Sequence, residues 1–69
     1  MKMFKVRIDY CGELGEKIFE TEMPKIPSYE EMVGFWYDDA SWVITTVGNV
    51  VYEFDENGNY LLAEINVSE

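Results

Sequence analysis

The chain has 69 residues, of which 48% are hydrophobic and 16% aromatic, and its formal net charge at neutral pH is −9. This apolar content is too high for an intrinsically disordered chain, and the length predicts a single domain over residues 1–69 with a marginal core. Cys11 is the only cysteine, which excludes an intrachain disulfide and is typical of a reducing compartment. No stretch has the apolar length of a signal peptide or a membrane span, so we expect a soluble protein of the cytoplasm.

The negative charge is concentrated in the second part of the sequence. All five bases lie in the first 25 residues, where five acids balance them, and residues 26–69 contain nine acids and no base. Such a segment repels the phosphates of nucleic acids and anionic membranes, and it attracts basic protein surfaces. The alternative is that the acids only keep a small apolar domain in solution.

The first 23 residues predict a β-hairpin. Residues 3–10 alternate charged and apolar side chains, as a half-buried strand does. One face of this strand carries the apolar residues Phe4, Val6, Ile8 and Tyr10. The glycine-containing segment CGELGE is typical of a hairpin connection, and residues 17–23 predict an antiparallel second strand that ends before Pro24. The acids of this second strand would face Lys5 and Arg7 across the hairpin.

Residues 28–38 are predicted to form a short helix. Ser28 precedes Glu31 by three residues, which is the spacing of a capping box. Glu30 would lie in the first turn, where the helix dipole favours negative charge. Helical spacing places four apolar residues on one face: Tyr29, Met32, Val33 and Trp36. Gly34 disfavours a helix, so an irregular loop with a single turn is the alternative.

Three further strands are predicted after this helix. Residues 41–47 and 50–54 are rich in β-branched and aromatic side chains, with a turn at Gly48-Asn49 between them. A turn at Asn57-Gly58 leads into the last strand, residues 60–67. The expected order is β-β-α-β-β-β, an α+β fold in which one short helix packs on a small, mainly antiparallel sheet. A small curled, barrel-like sheet is the alternative architecture.

The residue types argue against catalysis and against a metal site. The chain has no histidine, and its single cysteine therefore has no general base beside it. The stretch DENGN begins like a calcium-binding loop, but Tyr60 and Asn66 occupy the positions where that loop requires glycine and glutamate. We therefore expect a protein that is not an enzyme and that carries no cofactor and no metal.

The stretch FWYDDASW, residues 35–42, places four aromatic rings beside two carboxylates. We expect Trp36 and Trp42 to be buried. Since neighbouring side chains on a helix point about 100° apart, at least one of Phe35 and Tyr37 should then meet solvent. Exposed aromatic residues flanked by acids are typical of protein–protein interfaces, where rings supply affinity and charge steers the encounter.

These features lead to the hypothesis of a small acidic protein-binding module. It would inhibit or modulate a larger protein by occluding a basic, nucleic-acid-binding surface, as a nucleic-acid mimic, without binding nucleic acid or membranes itself. The predicted contact residues are Glu30, Glu31, Phe35, Trp36, Tyr37, Asp38, Asp39, Glu53, Asp55 and Glu56.

The general character of the chain, small, acidic and aromatic-rich, resembles that of phage-encoded inhibitors of host defence or of host nucleic-acid enzymes, which implies the host-cell cytoplasm as its location. This is a resemblance of type, and no sequence motif carries it. One alternative is a self-assembling structural or accessory subunit, such as a homodimer. Another is a binder of a small ligand such as a nucleotide.

Overall fold

Five β-strands form one mixed sheet in the computed structural model, which describes residues 2–69. The strands are β1 (Phe4–Gly12), β2 (Gly15–Met23), β3 (Met32–Trp36), β4 (Trp42–Phe54) and β5 (Tyr60–Ser68). Their order in the sheet is β2-β1-β5-β4-β3. β1 and β5 run parallel, and the other neighbouring strands are antiparallel.

The sheet curls into a half-barrel in which β2 and β3, its two edge strands, approach each other. The Lys17 ammonium in β2 donates hydrogen bonds to the carbonyl oxygens of Trp36 and Tyr37, at 3.0 and 2.7 Å. Nearby, the ring centroids of Phe19 in β2 and Phe35 in β3 are 5.1 Å apart. These contacts hold the two edges together without a backbone ladder between them.

The hydrophobic core fills the concave face of the curled sheet. Its buried members are Val6, Ile8, Tyr10, Val33, Phe35, Val43, Val47, Ile65 and Val67. The polar groups that enter this core have partners, as buried polar groups require. The hydroxyl of the buried Thr45 donates to the Val33 carbonyl at 2.7 Å, and the Tyr10 hydroxyl donates to the Glu69 carboxylate. Burial and this bond raise the pKa of Tyr10 above its usual value.

The first hairpin agrees with the sequence prediction. β1 and β2 pair antiparallel, with Lys5 opposite Glu22 and Arg7 opposite Glu20. The Arg7 guanidinium lies 3.2 Å from the Glu20 carboxylate and 3.2 Å from the Glu64 carboxylate of β5. The two bases on the outer face of this hairpin, Lys5 and Arg7, are therefore already paired with acids of the same chain.

The helix predicted over residues 28–38 is wrong, and so is the α+β fold class. The backbone N–H and hydroxyl of Ser28 do donate to the Glu31 carboxylate, at 2.7 and 2.8 Å, but these bonds close a turn. Glu30 has a φ of 71°, a left-handed conformation that cannot continue a right-handed helix. Residues 32–36 then alternate between the two faces of the sheet as strand β3.

Pairing between β3 and β4 explains why the helical spacing of residues 28–38 gave a wrong prediction. The five residues of β3 fit a period of two as well as a helical period, since Val33 and Phe35 are buried while Met32 and Trp36 are exposed. Short apolar segments of this kind satisfy both templates. β3 pairs along its whole length with β4, and this ladder selects the strand.

The turn predicted at Gly48-Asn49 is also wrong. β4 runs unbroken for 13 residues, and its register against β5 shifts between Val47 and Val50. Such a shift is a β-bulge, which bends a strand without ending it. The turn at Asn57-Gly58 is confirmed: Gly58 has a φ of 82°, and the Asp55 N–H donates to the Asn59 carbonyl at 2.9 Å.

Candidate protein-binding surface

Two tryptophans stand side by side on the outer face of the β3–β4 hairpin. Trp36 is directly opposite Trp42 in the ladder, and their ring centroids are 5.4 Å apart with the planes inclined at 66°. Trp36 is 57% exposed and Trp42 is 52% exposed. The prediction that both rings are buried is therefore wrong, because each points away from the concave core.

Gly34 makes room for this pair of rings. A Cβ atom at Gly34 would lie only 2.6 Å from Cζ2 of Trp42, so the Trp42 ring lies directly over the backbone of β3. Met32 and Ile44, on the same outer face, are 70% and 53% exposed. We call the surface formed by Met32, Trp36, Trp42 and Ile44 the tryptophan face. Exposed rings held in one geometry lose little conformational entropy when a partner covers them.

Two carboxylates lie in the turn at one end of the tryptophan face. The turn joins β3 to β4 and is closed by a hydrogen bond of 2.8 Å from the Tyr37 N–H to the Ser41 carbonyl. Asp38 accepts a hydrogen bond of 2.9 Å from the Ala40 N–H. The hydrogen bonds from Ala40 and Ser41 lower the pKa of Asp38, so this carboxylate stays ionised at neutral pH. Asp39 beside it is exposed.

Of the predicted aromatic contact residues, only Trp36 belongs to the tryptophan face. Phe35 is 8% exposed, and its ring packs 5.5 Å from that of Tyr10 inside the core, so it is not positioned to contact a partner. Tyr37 is half-buried, with its ring 5.8 Å from that of Tyr10. Sequence reasoning missed Trp42 as an exposed residue.

The signal for the missed residues was the alternation along β4. Trp42 and Ile44 occupy even positions and are exposed, whereas Val43 and Thr45 occupy odd positions and are buried. Alternate residues of a strand point to opposite faces. Treating residues 42–47 strictly by this rule would have placed Trp42 and Ile44 on one outer surface.

Glu30 and Glu31 lie beside the middle of β4. The Glu30 N–H donates to the Val47 carbonyl at 2.9 Å, and the Val47 N–H donates to the Glu31 carbonyl at 2.8 Å. Hydrogen bonds from the Ser28 N–H and hydroxyl, together with Lys25, lower the pKa of Glu31 to about 2. The backbones of both residues are therefore hydrogen-bonded to β4 at Val47, but neither residue is part of the tryptophan face.

Glu53, Asp55 and Glu56 lie at the far end of β4, in and beside the β4–β5 hairpin. A strand of 13 residues spans about 40 Å, so the structure does not bring these acids together with Asp38 and Asp39. Asp55 accepts hydrogen bonds from the N–H groups of Asn57 and Asn59, each 2.9 Å long. The bond from Asn59 is the largest cause of the lowered pKa of Asp55.

A second group of aromatic rings, some half-buried and some exposed, lies at this far end of β4. The centroid of the Tyr60 ring is 6.2 Å from that of Phe4 and 6.0 Å from that of Phe54. Tyr52 and Phe54 are 54% and 56% exposed. Tyr52 is paired with the buried Ala63 and so lies on the concave side of β4, which makes this second apolar surface separate from the tryptophan face.

Other kinds of site find less support in residues 2–69. No three acidic or cysteine side chains in this range converge to hold a metal ion, and the range includes no helix that could cross a membrane. An open groove of about 460 Å³ on the outer face of the sheet is lined by acidic, polar and small residues, among them Asp9, Cys11, Glu16 and Asn66. No protein-family model, curated protein or solved structure matches the chain.

Proposed function

We propose that this protein is a binding module that docks the β3–β4 side of its sheet on a basic surface of a larger protein and thereby occludes that surface. The observation that carries the proposal is the pairing of Trp36 and Trp42 on the outer face, each more than half exposed. Tryptophan is enriched among the residues that dominate interface energetics. The apolar surface of these rings that stays in water adds nothing to the stability of a monomer and is free to be buried by a partner.

The charge of the same region supports a basic partner. Asp38 and Asp39 adjoin the tryptophan face, and no lysine or arginine occurs after Lys25 in the sequence. Carboxylates at the rim of an interface accelerate encounter with a positive surface, while the apolar centre supplies most of the affinity. Occlusion would follow from steric coverage together with this electrostatic match.

A self-assembling subunit is the second candidate, because a second copy would also cover exposed rings. Its support is the large apolar area that the chain leaves in water, with twelve large hydrophobic side chains exposed among residues 2–69. The net charge of −9 opposes it, since two copies would bring unpaired carboxylates together. Light scattering at low and high salt separates the two candidates, because added salt weakens attraction to a basic partner and promotes association between like-charged copies.

Affinity capture with matched variants tests the first candidate. The bait proteins are the wild type, a variant with Trp36→Ser and Trp42→Ser, and a control with Leu14→Ser and Ile18→Ser, which removes exposed apolar side chains from the β1–β2 hairpin. We expect the wild type and the control to retain the same basic proteins at low salt, and the tryptophan variant to lose them. At ~1 M salt, where the Debye length is about 3 Å, the wild type should retain much less.

The purified partner then gives the decisive measurement by calorimetry. The proposal requires that the tryptophan variant binds this partner at least about tenfold more weakly than the control, a loss of about 1.4 kcal/mol. Equal affinities of the two variants, or captured proteins with no basic surface, would refute it.

A further inference from the structure

In the C-terminal half of β4, the backbone groups on the side facing away from β5 have no partner strand. β3 pairs with residues 42–46 of β4, and the segment before β3 continues this pairing only as far as Val47. There the left-handed Glu30, with a φ of 71°, turns the preceding chain away from the edge, and Ile26 from that chain packs against the core. Among the described residues, no backbone bond joins residues 48–54 to a segment on this side.

Alternation along the strand identifies the unpaired groups. Val47 faces the core and directs its N–H and C=O toward β3. Beyond the bulge, Val50 packs against the core, and Tyr52 is paired with the fully buried Ala63. Residues of one strand that share a face also direct their backbone groups to the same side. The N–H and C=O groups of Val50, Tyr52 and Phe54 therefore point to the free edge.

This edge is less protected than the other two free edges of the sheet. Edge strands are usually guarded by charged side chains, by proline or by short length. In β2, the residues whose backbone N–H and C=O groups point to the free edge include Glu16, Glu20 and Glu22. The Lys17 side chain also connects β2 to β3. β3 has only five residues. Residues 50–54, with the sequence VVYEF, contain a single charge and no proline.

We propose that the unpaired edge of residues 50–54 of β4 receives an extended strand of the partner, in which basic and apolar side chains alternate. The proposal rests on the proposed function for the charge of the partner. Addition of a strand to an exposed edge gains affinity from main-chain hydrogen bonds and specificity from alternate side chains. Tyr52 and Phe54, each more than half exposed, would contact the apolar side chains of the added strand.

Charge complementarity selects a basic segment over a second copy of this chain. Glu53 lies within the edge, Asp55 and Glu56 follow it, and Glu30 and Glu31 lie at its other end. Antiparallel pairing of residues 50–54 in two copies would bring Asp55 and Glu56 of one copy close to Glu30 and Glu31 of the other, since these lie beside Val47, and like charges brought together destabilise the pairing. Lysine or arginine side chains on an added strand would instead lie among carboxylates.

Amide hydrogen exchange with a defined peptide tests the inference on the full chain. The probe is a synthetic peptide of alternating lysine and valine, and its control has the same composition with the central residues replaced by proline. With the probe at about ten times its dissociation constant, exchange at Val50, Tyr52 and Phe54 should slow by about tenfold. The control peptide should leave these amides unchanged.

Proline substitution gives a second, matched test. Tyr52→Pro removes an N–H that points to the free edge and should abolish binding of the probe, whereas Tyr52→Val removes the ring but keeps the N–H and should retain most of it. Ile18→Pro removes an edge-facing N–H from β2 and should bind normally. If Tyr52→Pro fails to fold, exchange in the wild type decides the question.

Three outcomes would overturn the inference. The probe could bind without slowing the three amides, Tyr52→Pro could bind as well as the wild type, or the amides could be protected without the probe in a concentration-dependent manner, which would identify a second copy. If a basic protein or the probe binds at the tryptophan face alone, the proposed function stands and the edge inference fails. If neither a basic protein nor the probe binds, the proposed function itself fails.

Discussion

The two outer hairpins of the sheet, β1–β2 and β3–β4, carry different kinds of residues on their solvent-facing sides. On the β1–β2 hairpin two of the facing pairs are ionic, Lys5 with Glu22 and Arg7 with Glu20. On the β3–β4 hairpin they are apolar, with Trp36 opposite Trp42 and Gly34 opposite Ile44. On the first surface Lys5 and Arg7 are paired with acids of the same chain, whereas the second exposes two tryptophan rings beside the exposed carboxylates of Asp38 and Asp39. This difference is the reason for proposing the β3–β4 hairpin, and not β1–β2, as the binding side.

The same contrast holds between neighbouring residues of one strand. Phe35 lies in the core and Trp36 lies on the outer face, so their substitution should separate stability from binding. Phe35→Ala should lower the free energy of unfolding by about 3–5 kcal/mol. Trp36→Ala should lower it by only about 1 kcal/mol, the value of one exposed aromatic pair, while weakening capture of a basic partner. Urea denaturation and calorimetry measure the two effects, and a larger loss of stability from Trp36→Ala would contradict the assignment of faces.

The Lys17 side chain connects the two outer hairpins, and its replacement tests how much this connection stabilises the half-barrel. Lys17→Met keeps the apolar stem but deprives the Trp36 and Tyr37 carbonyls of their shared donor. We expect the free energy of unfolding to fall by about 1–2 kcal/mol, measured by urea denaturation. Lys5→Met is the matched control, because Lys5 contributes only an exposed ion pair of 3.4 Å with Glu20, a type of interaction that contributes little. Equal losses from the two variants would argue against a joining role for Lys17.

The pH dependence of the unfolding free energy tests how much the hydrogen bonds from Ser28 to Glu31 stabilise the turn before β3. The pKa of Glu31 is about 2 in the folded chain, against an ordinary value of 4.5. Because the folded value is lower, the charged carboxylate stabilises the fold above about pH 4.5, and this contribution is lost as the pH falls toward 2. The difference in unfolding free energy between the wild type and Glu31→Gln should therefore shrink across this window.

A double-mutant cycle controls for other acids that titrate in the same range. Ser28→Ala removes the hydroxyl donor and keeps the backbone donor, so alone it should reduce the pH-dependent difference in part. In the Glu31→Gln background, Ser28→Ala should leave the pH dependence unchanged. A pH-dependent effect of Ser28→Ala that persists without the Glu31 carboxylate would show that another group is responsible.

Local pattern predicted the hairpins at the two ends of the chain correctly. The alternation of residues 3–10 gave the buried face of β1, since Val6, Ile8 and Tyr10 are all fully or almost fully buried. The turn at Asn57-Gly58 follows from the tolerance of glycine for positive φ. In both places a strong local signal and the tertiary structure agree.

The middle of the chain could not be predicted in this way. Ser28 and Glu31 form the hydrogen bonds that a helix start would use, and only the ladder between β3 and β4 decides that a strand follows. Similarly, Gly48-Asn49 is compatible with a turn or a bulge, and pairing with β5 on both sides selects the bulge. The exposure of the aromatic residues was predicted only in part: Phe35, expected at the contact surface, is buried, and Trp42, expected to be buried at the start of a strand, is exposed.

The sequence by itself determined the charge of this protein, its lack of histidine and the amphipathic strands at its ends, because these depend on composition and on neighbours along the chain. Only the tertiary structure decided which rings meet water and which edge of β4 is free. Both depend on which strands become neighbours in the curled sheet, and backbone hydrogen bonding between distant segments fixes that choice.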